Sequence, residues 1–175
     1  MEQAYGALFL DNVNRFFDLS LYPSLAGDDL GGLRSLSVER EGKQVYALAV
    51  SPAQSGGTPV FTMTAPYALT LGTAQAKSEI LTPLRELAGA DALAKPEDLT
   101  PYGLADGAGR FTLTYADGTS AVIRVGRQEG TGTYVFREGS DVLMLVPTAN
   151  LSFFYDTALQ VVGQNLVSVS LGDLA

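Results

Sequence analysis

The chain has 175 residues, 46% of them apolar and 17% charged, a balance that folds around a core and excludes a disordered segment. It contains no His, no Cys and no Trp. That removes His-based acid–base catalysis, Ser-His-Asp and Cys-His triads, thiolate nucleophiles, haem–His ligation and Cys/His zinc sites. The net charge is −8 and the eleven basic residues are scattered singly, which speaks against a nucleic-acid or anionic-lipid face.

Residues 4–19 place Leu8, Phe9, Val13, Phe16 and Phe17 at helical spacing, predicting a first amphipathic helix. Pro23 and the Gly27-Asp28-Asp29 cluster stop regular structure. Residues 34–50 read as a hairpin turning at Glu41-Gly42, with Leu36 and Val38 on one strand and Tyr46 and Leu48 on the other. Residues 51–58 read as a loop, and residues 60–63 as a short strand ended by Ala65-Pro66. The spacing of Ala76, Ile80, Leu84 and Leu87 predicts a helix over 73–88, with Thr73 as N-cap, Gly89 after the last turn and a kink or break at Pro83. Residues 95–104 predict a short helical turn closed by Gly103.

A meander follows. Residues 111–115 alternate strictly, Asp117-Gly118 gives a hairpin turn, and Ala121, Ile123 and Val125 alternate on the return strand. Residues 133–137 and 141–146 predict two more strands, ended by Pro147. A second amphipathic helix is expected over 150–163, carrying Phe154, Ala158 and Val161, and an extended segment with Leu166, Val169 and Leu171 closes the chain.

The two ends resemble each other. Shifted by 145 residues, Leu8-Phe9-Leu10-Asp11 falls on Phe153-Phe154-Tyr155-Asp156, Leu21 on Leu166, and Gly27-Asp28 on Gly172-Asp173. The expected organisation is therefore a helix and extended tail over 1–30, like the end of a preceding repeat unit, and a single α+β domain over 31–175.

Residues 33–169, roughly four fifths of the chain, resemble the bacterial domain-of-unknown-function 4340 family. The features that carry the resemblance are the hairpin of 37–50, the strand of 61–66 ending in Pro, and the helix of 74–87. They continue with Asp98-Leu99-Thr100-Pro101-Tyr102-Gly103-Leu104, the Asp117-Gly118 turn, Ile123-Arg124-Val125-Gly126 and the strands at Tyr134-Val135 and 142–146. Phe61 stands near where family members carry Trp, which keeps an aromatic anchor. The resemblance implies membrane-anchored bacterial proteins, often associated with ABC-transporter or gliding-motility-type components, and supplies no catalytic residues.

Candidate sites follow from these elements. Asp98 is expected to cap the 98–104 turn and Gly103 to take a positive φ, with Leu99, Tyr102 and Leu104 plugging a core beneath the sheet or contacting a ligand. Phe9, Phe16 and Phe17, with Tyr5 and Tyr22, concentrate aromatics near the N-terminus, to pack on the sheet or on a neighbouring unit. Gly126, Gly130 and Gly132 read as a hairpin loop rather than a phosphate cradle, because a strand and not a helix follows them. The pairs Asp28-Asp29 and Glu97-Asp98, with Asp106, sit in turn contexts and lack the spacing of a calcium loop.

The sequence thus predicts an α+β fold, a mostly antiparallel sheet of about six or seven strands with amphipathic helices packed on one face. No catalytic residue, metal or cofactor is expected. The expected function is a non-enzymatic interaction or scaffold domain of a bacterial cell-envelope protein, with an ABC-transporter association implied by the resemblance. The partner would be another protein or a neighbouring unit of the same protein, with no nucleic acid and no direct insertion into the membrane. The fragment is expected to be soluble, extracytoplasmic and anchored through the full-length protein. A ligand-binding module, lined by the Gly-rich segments 103–109 and 126–132, is the alternative, and a carboxylate-dependent hydrolase the second alternative.

Overall fold

The computed structural model describes residues 20–25, 30–53, 59–89 and 91–163. The expected first helix, with Phe9, Phe16 and Phe17, and the extended segment after residue 163 lie outside the described residues.

The α+β architecture is present, and among the described residues the antiparallel sheet has nine strands instead of six or seven. The strands are β1 (Leu33–Arg40), β2 (Lys43–Ser51), β3 (Val60–Ala65), β4 (Leu69–Thr70), β5 (Asp91–Ala94), β6 (Gly109–Tyr115), β7 (Ser120–Glu129), β8 (Gly132–Arg137) and β9 (Val142–Pro147). Their order across the sheet is β4-β3-β2-β1-β6-β7-β8-β9-β5. Two meanders, β1 to β4 and β6 to β9, therefore join at β1 and β6, and β5 lies at the far edge. The two strands missing from the expectation are β4 and β5. Both are short edge strands, two and four residues long, with too few alternating positions to register as a period.

Turn chemistry sets the hairpins. Glu41 and Gly42 have φ of 53° and 70°, the paired positive angles that match the right-handed twist of the flanking strands. Asp117 accepts the Thr119 backbone N–H through Oδ1 at 2.9 Å and shapes the β6–β7 turn.

Alternation gives the sheet one deeply buried face. Leu36 and Val38, Tyr46 and Leu48, Phe61 and Met63, Phe111 and Leu113, and Ile123 and Val135 all point to it and are buried. Helix α1 (residues 73–86), α2 (Ser152–Tyr155) and α3 (Ala158–Val162) cover this face with Ile80, Leu84, Phe153, Phe154 and Val161. Tyr46 stitches the layers together by donating its hydroxyl to the Phe153 carbonyl at 2.6 Å.

The helices differ in detail from expectation. Gly72, not Thr73, is the N-cap of α1, and no side chain caps it. Pro83 does not break the helix. It lies just inside an α-helical end, Thr82–Glu86, preceded by a π-helical stretch, Ala76–Leu81, where the Thr82 N–H reaches back to the Lys77 carbonyl. The wider turn absorbs the proline ring that would crowd the preceding carbonyls of a regular α-helix. The helix expected over 150–163 is divided into a 3₁₀ turn (Thr148–Leu151), α2 and α3. Thr157 restarts it through a reciprocal capping box with Gln160.

A smaller cluster occupies the other face of the sheet. Leu104, Phe136 and Leu143 are buried there, with Leu99, Tyr102 and Tyr134 packed against them. The chain between β5 and β6 makes this cover as it crosses β9, β8 and β7. Over β1, β2, β3 and β6 the same face carries Ser35, Ser37, Ala47, Ala49, Thr62 and Thr112, all half-buried.

Candidate functional site

The 98–104 turn has the expected cap geometry. Asp98 Oδ1 accepts the Thr100 N–H at 2.8 Å. Bonds from both the side chain and the backbone of Thr100 hold the Asp98 carboxyl below its usual range. The 3₁₀ turn Thr100–Tyr102 ends at Gly103, whose φ is 72°. The Leu104 N–H then returns to the Leu99 carbonyl at 3.2 Å. Leu99, Tyr102 and Leu104 are brought together, and on the sheet face opposite the helices.

Close backbone approach locks this turn to β7. A Cβ on Gly103 would stand 2.6 Å from the Arg127 nitrogen. A Cβ on Gly126 would collide with the Tyr102 carbonyl and the Leu104 side chain. Gly126 is thus a strand residue beside a register shift between Val125 and Gln128, not part of a loop, and the turn of the β7–β8 hairpin lies at Gly130-Thr131. The expected Gly-rich loop over 126–132 is corrected accordingly: β7 runs on to Glu129 because the strand pairing resumes after the bulge.

The surface of the cluster is aromatic and basic. Tyr102 and Tyr134 meet edge to face with centroids 5.0 Å apart. The Arg127 guanidinium lies 5.8 Å from the Tyr134 centroid, and Lys95 Nζ lies 5.1 Å from that of Phe136. Burial, and then the Glu129 carboxylate, raise the Tyr134 hydroxyl above its usual range. Beside Tyr134 a hollow of about 40 Å³ is lined by Asp91, Leu93, Leu143 and Leu145. That is room for little more than a water molecule.

A larger cavity, about 660 Å³, opens between residues 20–25 on one side and Leu84, Arg85, Leu87 and Ala88 on the other. Leu21, Tyr22 and Leu25 are buried, so this stretch belongs to the core although it precedes the sheet. Tyr22 donates its hydroxyl to the Leu84 carbonyl at 2.6 Å, and Arg85 donates Nε–H to the Leu25 carbonyl at 3.0 Å. The Tyr22 ring meets Phe111 edge-on at 6.5 Å. Burial pushes the Tyr22 hydroxyl far above its ordinary value, and Tyr115 adds to the rise. The sequence signal for this strap was the apolar set Leu21, Tyr22 and Leu25 around Pro23, which reads as a chain break when only regular elements are sought.

The carboxylates serve local structure. Asp98 and Asp117 hold turns. Asp106 Oδ1 lies 3.7 Å from Arg124, which also pairs with Glu138 at 3.0 Å. Asp156 is raised by burial and then by Glu79, with Arg40 opposing. Arg40 itself ties down the end of α2 by donating to the Tyr155 and Asp156 carbonyls at 2.6 and 3.1 Å. Asp28 and Asp29 lie outside the described residues. Among the described residues no three His, Cys, Asp or Glu side chains are grouped to hold a metal ion. Among them, too, no helix is long and apolar enough to cross a membrane. The chain matches no family model, no curated protein and no solved structure.

Proposed function

We propose that the chain is a non-enzymatic interaction module of a bacterial cell-envelope protein, displayed outside the cytoplasm on a membrane-anchored chain and working beside an ABC-transporter system. One observation carries the reading: the use of the polar groups around the larger cavity. Tyr22 and Arg85 are the titratable side chains among its described lining, and each is engaged with a main-chain carbonyl. These groups hold two chain segments together, and neither is placed to exchange a proton with a substrate. The Tyr102, Tyr134 and Arg127 surface supports the same reading, because aromatic and arginine side chains are enriched where proteins meet. Leu93, 39% exposed, extends that surface along β5. The envelope and transporter setting comes from the resemblance to the 4340 family.

In-cell photocrosslinking tests the reading. A photoreactive amino acid at Tyr134 or Leu93 is expected to yield a discrete protein adduct, identified by mass spectrometry as a transporter or envelope component. The same probe at Gly139, in the β8–β9 turn, is expected to yield none. Equal adducts at all three positions, or none at any, would refute an interaction surface here. The second reading, a module for a glycan, peptide or small molecule, is favoured by the cavity volume of about 660 Å³, within the usual range for ligand pockets. A ligand that protects the Leu84 and Leu87 amides from exchange while leaving the Tyr134 adduct intact would favour that reading.

A further inference from the structure

The strap formed by residues 20–25 precedes the sheet, yet Leu21, Tyr22 and Leu25 retain only 1%, 8% and 3% of their exposure. It completes the core at the end of α1 and is bonded to it in both directions, from Tyr22 to Leu84 and from Arg85 to Leu25. The domain therefore has a socket that a short apolar segment fills.

The 145-residue offset says what kind of segment this is. Leu151, Phe153, Phe154, Ala158 and Val161 are all buried. The residues that fall on the last four of them are Leu8, Phe9, Val13 and Phe16, all apolar. Asp11-Asn12 falls on Asp156-Thr157, where Thr157 starts α3. The N-terminal stretch thus carries the residue types that the end of this domain buries, and the strap is what comes next. On the same offset Leu166 takes the place of Leu21, Gly172-Asp173 that of Gly27-Asp28, and Ala175 that of Leu30.

We infer that residues 165–173 are a strap for the socket of a second copy of this domain, so that copies are coupled in tandem, each completed by the end of the one before it. This deepens the interaction-module reading, on which it rests, by naming the partner as another copy. Within one chain the socket is already filled by residues 20–25, so the C-terminal strap serves a copy that follows. Two departures are specific. Val167 falls on Tyr22 and has no hydroxyl for the Leu84 carbonyl, and Ser170 falls on the buried Leu25, so the second strap grips through Leu166 and Val167 and lacks both that hydrogen bond and one apolar anchor.

The test is a fusion in which residues 1–175 are followed directly by residues 31–175, which keeps the register. Lys43→Arg in the second copy marks its peptides for hydrogen-exchange mass spectrometry. Both copies are expected to show the same protected sheet amides. Leu166→Asp is expected to lower protection in the second copy by roughly tenfold or more, the effect of placing a charge in an apolar socket, and to leave the first copy unchanged. Val167→Tyr is expected to raise it. An unprotected second copy in this fusion, beside a protected one when two whole chains are fused, overturns the inference. So does a second copy indifferent to Leu166→Asp. The Tyr134 crosslink is read on the single chain, so loss of the strap effect with the crosslink retained refutes the tandem coupling alone. Loss of the crosslink with the strap effect retained refutes the transporter partner alone.

Discussion

Gly126→Ala isolates the contact that seats the 98–104 turn. The position has no positive φ, so alanine meets no backbone penalty there and gains roughly 0.5–1 kcal/mol by restricting the unfolded chain. Against that gain stands a Cβ that collides with the Tyr102 carbonyl and lies 2.9 Å from Leu104 Cγ. A backbone carbonyl cannot rotate aside alone, so the whole turn must lift. Lifting exposes Leu104, now 1% exposed, and loosens Leu99 and Tyr102. Full exposure of a leucine costs about 1.5–3 kcal/mol, so a lift that exposes Leu104, less the gain from alanine, predicts a net loss of about 1–2 kcal/mol. Gly103→Ala adds the left-handed penalty of about 1–2 kcal/mol at φ 72° to a Cβ 2.6 Å from the Arg127 nitrogen. Gly130→Ala has φ 61° and open space around it, so it loses only the backbone part, about 1 kcal/mol. Urea unfolding followed by far-UV circular dichroism gives the total, and hydrogen exchange at the Leu104 amide gives the local part. Because two of the substitutions lift one turn, the Gly103→Ala, Gly126→Ala double variant should lose less than the sum. Gly126→Ala within about 0.5 kcal/mol of the natural protein, with Leu104 exchange unchanged, would refute the steric argument.

Two buried tyrosines should respond oppositely to loss of a hydroxyl. Tyr46→Phe leaves the Phe153 carbonyl without its donor and should cost about 1–3 kcal/mol, whereas Tyr115→Phe removes a buried hydroxyl that has no partner and should be neutral or stabilising in the same urea titration. Burial holds the hydroxyls of Tyr22, Tyr46 and Tyr115 above their usual value, that of Tyr115 at about 12. Their contribution is complete below the unfolded value near pH 10 and is lost as pH rises past it, because the unfolded chain then binds fewer protons. Phenolate absorbance should therefore show these three titrating only with loss of far-UV signal, and a smooth titration of every tyrosine in the folded state would refute it. At the acid end, Asp98 and Asp117 are held low by bonds from Thr100 and Thr119. Their contribution is present above about pH 4 and is lost as pH falls through the folded value. Asp98→Asn with Asp117→Asn should make the urea midpoint fall less steeply below that pH, and an unchanged slope would count against it.

The hairpins were legible because their turns are local chemistry: Glu41-Gly42 and Asp117-Gly118 fix register within four residues. The 98–104 turn was legible for the same reason, since Asp98 and Gly103 each satisfy a condition set by their immediate neighbours. Its location on the sheet was less so. The run Val142-Leu-Met-Leu-Val146 is apolar at every position, the mark of a strand covered on both faces, while the outward positions of β1 to β3 are mostly Ser, Ala and Thr. That contrast separates the apolar half of the second face from the half built of small and polar residues. The strap escaped the sequence reading because a six-residue irregular segment has no period to detect. Its burial depends on where α1 ends, and that is a tertiary fact. The π-helical stretch escaped because its cause, the ring of Pro83, admits either a break or a wider turn, and packing of Ile80 and Leu84 in the core favours keeping the helix.

The sheet order explains why the second cluster exists at all. β5 pairs with β9 at one edge, but the next strand, β6, lies beside β1 near the middle. The connection must cross β9, β8 and β7, and the helices already occupy the other face, so it crosses on the second one. A crossing segment shuts water out from between itself and the strands beneath, so the side chains facing each other across that contact are apolar. Leu99, Tyr102 and Leu104 above, with Tyr134, Phe136 and Leu143 below, supply them. Gly103 and Gly126 let the two backbones approach, and Arg127 and Lys95 lie over the remaining ring faces. The residues singled out from the sequence as one motif are therefore the crossing itself. Their arrangement is required by topology first, and the Tyr102 and Tyr134 surface is one that the fold had to build in order to close.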